Sequence, residues 1–198
     1  LKIAKNDIGI GHPVILKLEH LQHSGSFKAR GALYSLMKLD VGIDGVLAAS
    51  GGNHGIAVAW AAKKLGHAAN IFVPTITSES KIKKLEQHGA IIHQTGESYA
   101  EAFEASVTYA AKRTMTIVHA YDQAEVLEGA GTIGLELDNQ CPEVTTVVVA
   151  CGGGGLSGGL ASWWGTSKRL IVVETEGTGT YAAAKKLSRP TDIDVSGI

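Results

Sequence analysis

Lys28 is the residue of this sequence best suited to covalent chemistry. It lies in the run Ser24–Ala32, which reads SGSFKARGA. An apolar run before it, Val14–Leu18, predicts a strand, and apolar residues at helical spacing over Ala29–Leu39 predict a helix. A lysine at such a junction faces a concavity, and a lysine whose pKa is depressed by burial forms Schiff bases with carbonyl compounds. The alternative is a solvated lysine at the start of a helix.

A first glycine-rich turn follows the predicted strand Val46–Ser50. It opens a helix predicted over Gly55–Leu65 and reads Gly51-Gly52-Asn53-His54-Gly55. A helix start leaves several backbone N–H groups free, and its dipole favours an anion. Ser50 and Asn53 add short hydrogen-bonding side chains. A tight turn with an N-cap needs only one or two of these residues. The full set therefore favours a carboxylate or phosphate site.

A second glycine-rich turn follows the predicted strand Val144–Ala150. Its four consecutive glycines are Gly152, Gly153, Gly154 and Gly155. Four glycines carry a heavy conformational-entropy cost, which makes a role in packing alone a poor explanation. Successive backbone amides that wrap a phosphate explain the run better.

The second turn also fits a competing interpretation. Gly153, Gly155 and Gly158 satisfy G-x-G-x-x-G after a strand, and Glu174 ends the next strand about 20 residues on, as in a dinucleotide fingerprint. This pattern favours a nicotinamide-binding dehydrogenase. It leaves Lys28 and the first glycine turn without a function.

Strand-like and helix-like segments alternate almost to the end of the sequence. This alternation predicts crossover units and a parallel sheet, so the expected fold class is α/β. The remaining predicted strands are Asn70–Val73, Ala90–His93, Met115–His119 and Leu170–Glu174. A helix is predicted over Glu79–His88, and the capping box Ser98–Glu101 predicts another through Lys112. Gly66 is expected to end the helix after the first glycine turn.

Composition excludes several classes of function. The net charge of −1 gives no indication of a nucleic-acid or anionic-membrane surface. Two cysteines form no disulfide framework, which fits a cytoplasmic location. We find no apolar run of the roughly 18 residues that a membrane span needs and no signal peptide. The eight histidines lack the tight spacing of a metal site.

Taken together, three motifs resemble the fold-type-II pyridoxal-phosphate (PLP) enzymes. The likeness is to the serine/threonine dehydratase branch, which includes threonine ammonia-lyases and serine racemases. The motifs are Ser26–Ala32, which is similar to Ser-Phe-Lys-x-Arg-Gly-Ala, the turn Ser50–Gly55 and the tetraglycine Gly152–Gly155. Their order and spacing also fit, and the resemblance covers nearly the whole chain.

The resemblance implies a role for each motif. Lys28 would hold the cofactor as a Schiff base and then act as the base on the substrate Cα. Phe27 would pack near the cofactor, and Asn53 would hydrogen-bond its ring hydroxyl. The tetraglycine would hold the cofactor phosphate. The substrate carboxylate would bind backbone N–H groups of the residues Ser50, Gly51, Gly52, Asn53 and His54.

The resemblance further implies a reaction, a domain organisation and a homodimer or higher homo-oligomer. The expected activity is deamination of L-threonine or L-serine, small-molecule amino acids, to a 2-oxo acid and ammonia. The alternatives are a serine racemase, another PLP-dependent β-eliminase or an inactive fragment. The large cofactor-binding domain would comprise residues 1–44 and 118–198, and the small domain residues 45–117. Both would be open parallel-sheet domains.

The sequence departs from the family pattern at three places. Gly129-Ala130-Gly131-Thr132 stands where relatives often have Gly-Gln-Gly-Thr, so the glutamine is lost. Some relatives bind a divalent cation near the strand matching Leu170–Glu174, but Glu174 is the one carboxylate candidate here, and no metal is expected. Relatives extend further at both ends, so we expect a chain truncated at its C-terminus. The residue that faces the pyridine nitrogen therefore has no candidate.

Overall fold

The computed structural model describes residues 2–3 and 13–191 of the 198-residue chain. Residue 1 and the ranges 4–12 and 192–198, which the predicted large domain includes, lie outside the described residues. The strands are β1 (Lys2–Ile3), β2 (Val14–Ile15), β3 (Val46–Ala49), β4 (Ala69–Val73), β5 (Ala90–Gln94), β6 (Thr116–Ile117), β7 (Thr146–Ala150) and β8 (Arg169–Val173). The α-helices are α1 (Lys28–Lys38), α2 (Asn53–Leu65), α3 (Glu79–Gln87), α4 (Tyr99–Ala110), α5 (Ala124–Gln140), α6 (Gly155–Trp164) and α7 (Thr180–Leu187).

Parallel pairing dominates the sheets, which confirms the predicted α/β class. One sheet has the order β5-β4-β3-β6, with every neighbouring pair parallel. A second parallel pair joins β7 to β8, and a short antiparallel pair joins β1 to β2. Because parallel strands share a direction, the turns that follow β3 and β6 leave the same edge of their sheet. That edge is where α/β proteins bind ligands.

The largest core cluster lies between the four-stranded sheet and its helices. Every residue of β3 and of β4 is buried, as expected for central strands covered on both faces. Helix α2 buries eight residues, mostly alanine, valine and isoleucine, and packs against α1. Small side chains on α2 allow this close approach. The turn at the start of α2 is therefore fixed against the sheet and against the helix that begins with Lys28.

Several predicted boundaries were wrong by one to three residues. The predicted strand Val14–Leu18 ends at Ile15 in β2, since a short 3₁₀ turn over Glu19–Leu21 follows. The predicted strand Met115–His119 is reduced to β6, because the chain turns after Val118. Gly66 ends α2 in the left-handed conformation at φ 81°, as predicted.

The capping box was also confirmed, with one change. Ser98 accepts the backbone N–H of Glu101 at 3.2 Å, but the Glu101 carboxylate accepts the N–H of Glu97 at 2.6 Å. The helix that it starts, α4, ends at Ala110, two residues before the predicted Lys112. We find no helix in the described ranges that is long and apolar enough to cross a membrane.

Arg30 ties α1 to α5 and to the segment before it. Its guanidinium, with a side chain only 8% exposed, contacts Glu19 and Glu136 at 2.8 Å each. It also donates to the Thr132 hydroxyl at 3.0 Å. Lys17 contacts the same Glu136 carboxylate. Although burial opposes it, hydrogen bonding to Arg30 and Lys17 lowers the pKa of Glu136 to about 2. The network fixes α1, and hence Lys28, against α5.

Glycines allow α5 and α6 to pack with their backbones in contact. A Cβ added at Gly159 would lie 2.4 Å from the carbonyl oxygen of Leu127, and one at Gly131 would lie 3.0 Å from that of Gly159. Gly134 packs under the ring of Trp163 in the same way. Helix α6 begins in the tetraglycine, so this contact sets the position of the predicted phosphate loop. These glycines, Gly159 included, thus serve helix packing.

We expect Gly159→Ala to destabilise the protein by about 1–3 kcal/mol, because its Cβ meets backbone that cannot move without separating the helices. Gly158→Ala is the matched control: its Cβ would lie 3.3 Å from a Leu127 methyl group, which can move. Alanine also favours the helix by up to about 1 kcal/mol over glycine. Urea unfolding of both variants measures the difference. Equal free energies of unfolding for the two variants would contradict the claim that Gly159 is needed for the close contact of α5 with α6.

Candidate active site

Lys28 is the first residue of α1, and its amine points into the protein. Nζ donates a hydrogen bond to the carbonyl oxygen of Ala120 at 2.5 Å and lies 5.1 Å from the centroid of the Phe27 ring. Burial lowers the pKa of Lys28 below its ordinary value of 10.5. A position at the positive end of a helix disfavours the ammonium further. The lowered pKa increases the share of neutral amine relative to an exposed lysine, and the neutral amine is the form that attacks carbonyl carbon.

The turn Ser50–Gly55 lies at the carboxyl end of β3. The N–H of Gly52 donates to the Ser50 hydroxyl at 3.2 Å. The first intrahelical hydrogen bond of α2 runs from the N–H of Ile56 to the carbonyl of Gly52 at 3.1 Å. The N–H groups of the three residues before Ile56 therefore precede the helical ladder. Their position matches the start of a helix, where the sequence predicts an anion site.

Asn53 and His54, neighbours in this turn, differ in exposure. Asn53 is exposed, whereas His54 is buried at 6% exposure. Nε2 of His54 donates to the carbonyl oxygen of Val118 at 2.9 Å. Burial lowers the pKa of His54 to about 4, and the nearby charges of Lys28 and His119 also lower it. His54 is therefore neutral near pH 7. Its ring ties the turn to the chain after β6, which leaves its backbone N–H for a ligand.

The tetraglycine joins β7 to α6, and its residues alternate between open space and contact with Tyr121. Gly154 is the N-cap of α6 with φ 85°, a conformation that favours glycine. A Cβ on Gly152 or Gly154 would meet no described atom within 4 Å, so both border open space. A Cβ on Gly153 would lie 2.3 Å from the ring of Tyr121, and one on Gly155 would lie 3.0 Å from its backbone. Two of the four glycines thus pack against Tyr121, and the other two leave their backbone open.

A small enclosed cavity brings residues of the three motifs together. Phe27 and Lys28 line it from the start of α1, His54 from α2 and Gly155 from α6. Ala130, which stands where relatives often have glutamine, lines it from α5. The remaining lining residues are Gly31, Ala32 and Val126. The predicted site residues Lys28, His54 and Gly155 are thus neighbours, although up to 127 positions separate them in the sequence.

Sequence reasoning missed the segment that contacts all three motifs. We call Val118–Gln123 the bridging loop. It offers the carbonyl of Val118 to His54, the carbonyl of Ala120 to Lys28 and the ring of Tyr121 to the tetraglycine. A signal was present, because the loop follows a predicted strand and leaves the sheet at the edge where ligands bind. The loop contains no glycine motif of the kind that marks the other two turns.

The residues present fit a phosphorylated aldehyde such as PLP. Lys28 offers a buried amine for the aldehyde, and the open half of the tetraglycine, Gly152 and Gly154, offers backbone with room for the phosphate. In the described part of the chain, the hydroxyls of Ser24 and Ser26 are buried and have no hydrogen-bond partner. Both lie within four residues of Lys28. Buried hydroxyls without a partner, close in sequence to this lysine, are compatible with a polar ligand.

Glu174 is already engaged by the protein. Its carboxylate accepts the hydroxyl of Thr180 at 2.9 Å and the N–H groups of Tyr181 at 2.6 Å and Ala182 at 2.9 Å. Although burial opposes it, these hydrogen bonds lower the pKa of Glu174. The carboxylate therefore caps α7, which disfavours both a metal-ligand role and the ribose contact of a dinucleotide fingerprint. Residues 13–191 contain no cluster of three His, Cys, Asp or Glu side chains suited to a metal ion.

Comparison with known proteins agrees with this geometry. A family model described as "Pyridoxal-phosphate dependent enzyme" matches residues 2–197. An L-threonine ammonia-lyase of Geobacter sulfurreducens is 38% identical over 140 residues, which cover 70% of this chain and 35% of that protein.

Solved structures are similar over most of the chain. The processed form of threonine deaminase isoform 2 from Solanum lycopersicum superposes with a TM-score of 0.84 at 29% identity, covering 90% of this chain and 51% of that one. Maize serine racemase superposes with a TM-score of 0.83 at 32% identity, covering 88% and 55% respectively. The chain thus spans between about a third and about half of the length of these relatives. On the match over 2–197, the chain belongs to the family of pyridoxal-phosphate dependent enzymes.

Proposed function

We propose that this protein deaminates L-threonine, L-serine or both to the corresponding 2-oxo acid and ammonia with the aid of PLP. The observation that carries the proposal is the convergence of a buried lysine amine with two glycine-rich, N–H-bearing turns. The names of the relatives, which include an L-threonine ammonia-lyase and a threonine deaminase, support the substrate class.

The cofactor-binding residues in this proposal are Phe27, Lys28, Asn53 and the tetraglycine. The open half of the tetraglycine, Gly152 and Gly154, would receive the phosphate, with the N-terminus of α6 adding a favourable dipole. The exposed amide of Asn53 is free to turn towards the cleft. When bound, PLP supplies an electron sink that eases loss of the substrate Cα proton.

Lys28 would perform two steps. Its amine, whose pKa burial lowers, would hold the aldehyde covalently, with release of water. With PLP and substrate bound, Nζ of Lys28 would accept the Cα proton, a role that a lowered pKa favours. The carbonyl of Ala120 would hold the protonated amine in place, since it already accepts from Nζ.

The turn Ser50–Gly55 would orient the substrate. Backbone N–H groups at the start of α2 would bind its carboxylate, which leaves the Cα–H bond facing Lys28. The contact from His54 to Val118 keeps this turn next to the bridging loop. Because His54 is neutral near pH 7, it adds no positive charge that would raise the cost of protonating Lys28.

We further propose the domain organisation implied by the resemblance. Residues 45–117, which contain the four-stranded sheet, would form the small domain, and residues 1–44 and 118–198 the large domain. Closure of one on the other would exclude water from the site. A homodimer or higher homo-oligomer is the proposed assembly. The cytoplasm is the proposed location, since Cys141 and Cys151 are free thiols.

A serine racemase is the second candidate, and maize serine racemase as a structural neighbour favours it. A racemase needs an acid/base group on the face of the substrate opposite Lys28. Ser50 is half-buried in the substrate turn and Ser24 is fully buried, so Ser50 is the better candidate. Its hydroxyl already accepts an N–H from Gly52.

Product analysis separates these activities. The PLP-loaded protein is incubated with L-serine and, separately, with L-threonine, and 2-oxo acid, ammonia and D-amino acid are quantified. We expect 2-oxo acid and ammonia in equal amounts. D-serine as the main product from L-serine would show that the protein is a racemase and not a lyase. The melting temperature of the protein is also measured with NAD and with PLP. A rise with NAD and none with PLP would support the dehydrogenase instead.

A further inference from the structure

The bridging loop is held in shape by two of its own side chains. Nδ1 of His119 accepts hydrogen bonds from the backbone N–H groups of Tyr121 at 3.3 Å and Asp122 at 2.9 Å. The side-chain oxygen of Gln123 accepts the N–H of His119 at 2.8 Å. The rings of His119 and Tyr121 meet edge to face, with centroids 4.9 Å apart. One imidazole therefore fixes the middle of the loop.

The same peptide unit that His119 binds also binds Lys28. The N–H of Tyr121 and the carbonyl of Ala120 belong to one planar amide, at its opposite ends. His119 accepts from the N–H end, and Nζ of Lys28 donates to the carbonyl end at 2.5 Å. A planar amide cannot rotate one end without the other. The imidazole of His119 therefore sets the direction of the carbonyl that holds the lysine.

We propose that His119 is a positioning residue for Lys28, acting through the Ala120–Tyr121 amide. It does so only as the tautomer with Nδ1 unprotonated and the proton on Nε2, because Nδ1 must accept. Without this acceptor the amide is free to turn, the carbonyl leaves Nζ, and water reaches the amine. The description of Lys28 as catalytic rests on the proposed function. The positioning itself is a property of the cofactor-free chain.

Two substitutions separate the acceptor from the bulk of the ring. His119→Asn keeps an acceptor, since a side-chain amide oxygen readily binds the N–H two residues on. His119→Phe keeps an aromatic ring of similar size and removes the acceptor. His67→Phe is the control, because His67 is half-buried in the turn before β4, at the opposite edge of the sheet.

The readout is the pKa of Lys28 in the cofactor-free protein. It is obtained from the pH dependence of acetylation by acetic anhydride, followed on the Lys28 peptide by mass spectrometry. In the unsubstituted protein we expect a value below 10.5, as burial requires. His119→Phe should move it up towards the ordinary value, because water enters, whereas His119→Asn and His67→Phe should leave it unchanged.

The proposal is overturned if the pKa is unchanged or lower in His119→Phe, or if His119→Asn shifts it equally. A measurement on the unsubstituted protein guards against a variant that does not fold. Nitrogen-15 NMR of the His119 ring must report the Nε2-protonated tautomer, and the opposite tautomer would exclude the role. Neither experiment contains PLP or substrate. Failure of the positioning proposal can therefore be distinguished from failure of the proposed function, which would appear as no product from the PLP-loaded protein.

Discussion

Replacing Lys28 by alanine is expected to abolish turnover and leave the fold intact. The substitution removes the amine that would bind the aldehyde and accept the Cα proton, so we expect product formation to fall by about 10³-fold or more. Stability should change little, because the lost hydrogen bond to Ala120 is offset by removal of an amine that burial penalises. Product formation and the thermal unfolding midpoint are measured on the same preparation.

Lys38→Ala is the matched control for this substitution. Lys38 ends the helix that Lys28 begins, and it makes an exposed ion pair with Glu128 at 2.6 Å. An exposed pair of this kind contributes about 0–1 kcal/mol, and the residue lies outside the candidate site. Activity should therefore persist. Continued deamination by Lys28→Ala at a rate close to that of Lys38→Ala would remove Lys28 from the reaction.

Arg30→Ala is expected to have the largest effect on stability. The substitution removes the guanidinium that lies between the carboxylates of Glu19 and Glu136 and leaves both without this partner. Removing one partner of a buried ion pair costs about 3–5 kcal/mol. We expect the lower end, about 3 kcal/mol, since the Glu136 side chain is 41% exposed and water can compensate it. Chemical denaturation at neutral pH measures this loss.

Two further variants test the assignment of this loss to the ion pairs. Arg30→Lys retains the charge but cannot contact both carboxylates in the forked geometry, so a partial loss is expected. Arg113 is exposed just after α4, and its guanidinium carbon lies 3.5 Å from the centroid of the Tyr109 ring. Arg113→Ala should lower the free energy of unfolding by no more than about 1 kcal/mol. Equal effects of Arg30→Ala and Arg113→Ala would show that the network contributes little.

The sequence predicted the fold class because its strands and helices follow simple periodic patterns. The central strand β3 is a continuous apolar run, and β4 is apolar apart from Asn70. Gly66 ends α2 in a left-handed conformation, which glycine favours whatever the tertiary context. Strand ends were less predictable. β6 is shorter than its apolar run because the carbonyl of Val118 is turned towards His54, a contact 64 residues away in sequence.

The candidate site was predictable where a motif is local. Lys28, the turn after β3 and the tetraglycine each have a recognisable chain pattern, and the structure brings residues of all three to one cavity. The sequence does not predict that Gly153 packs against Tyr121 while Gly152 borders open space, because this depends on where the Tyr121 ring lies. The role of His119 was equally hidden, since it depends on one amide shared with Ala120.

Reduction of the PLP-loaded protein with borohydride tests the central claim most directly. Borohydride makes a Schiff base between lysine and PLP permanent, and peptide mapping by mass spectrometry then locates the label. We predict one label, on Lys28, together with loss of the visible-edge absorbance band of the loaded protein. A stable label on another lysine, with Lys28 unmodified, would contradict the assignment of Lys28 as the cofactor-binding residue.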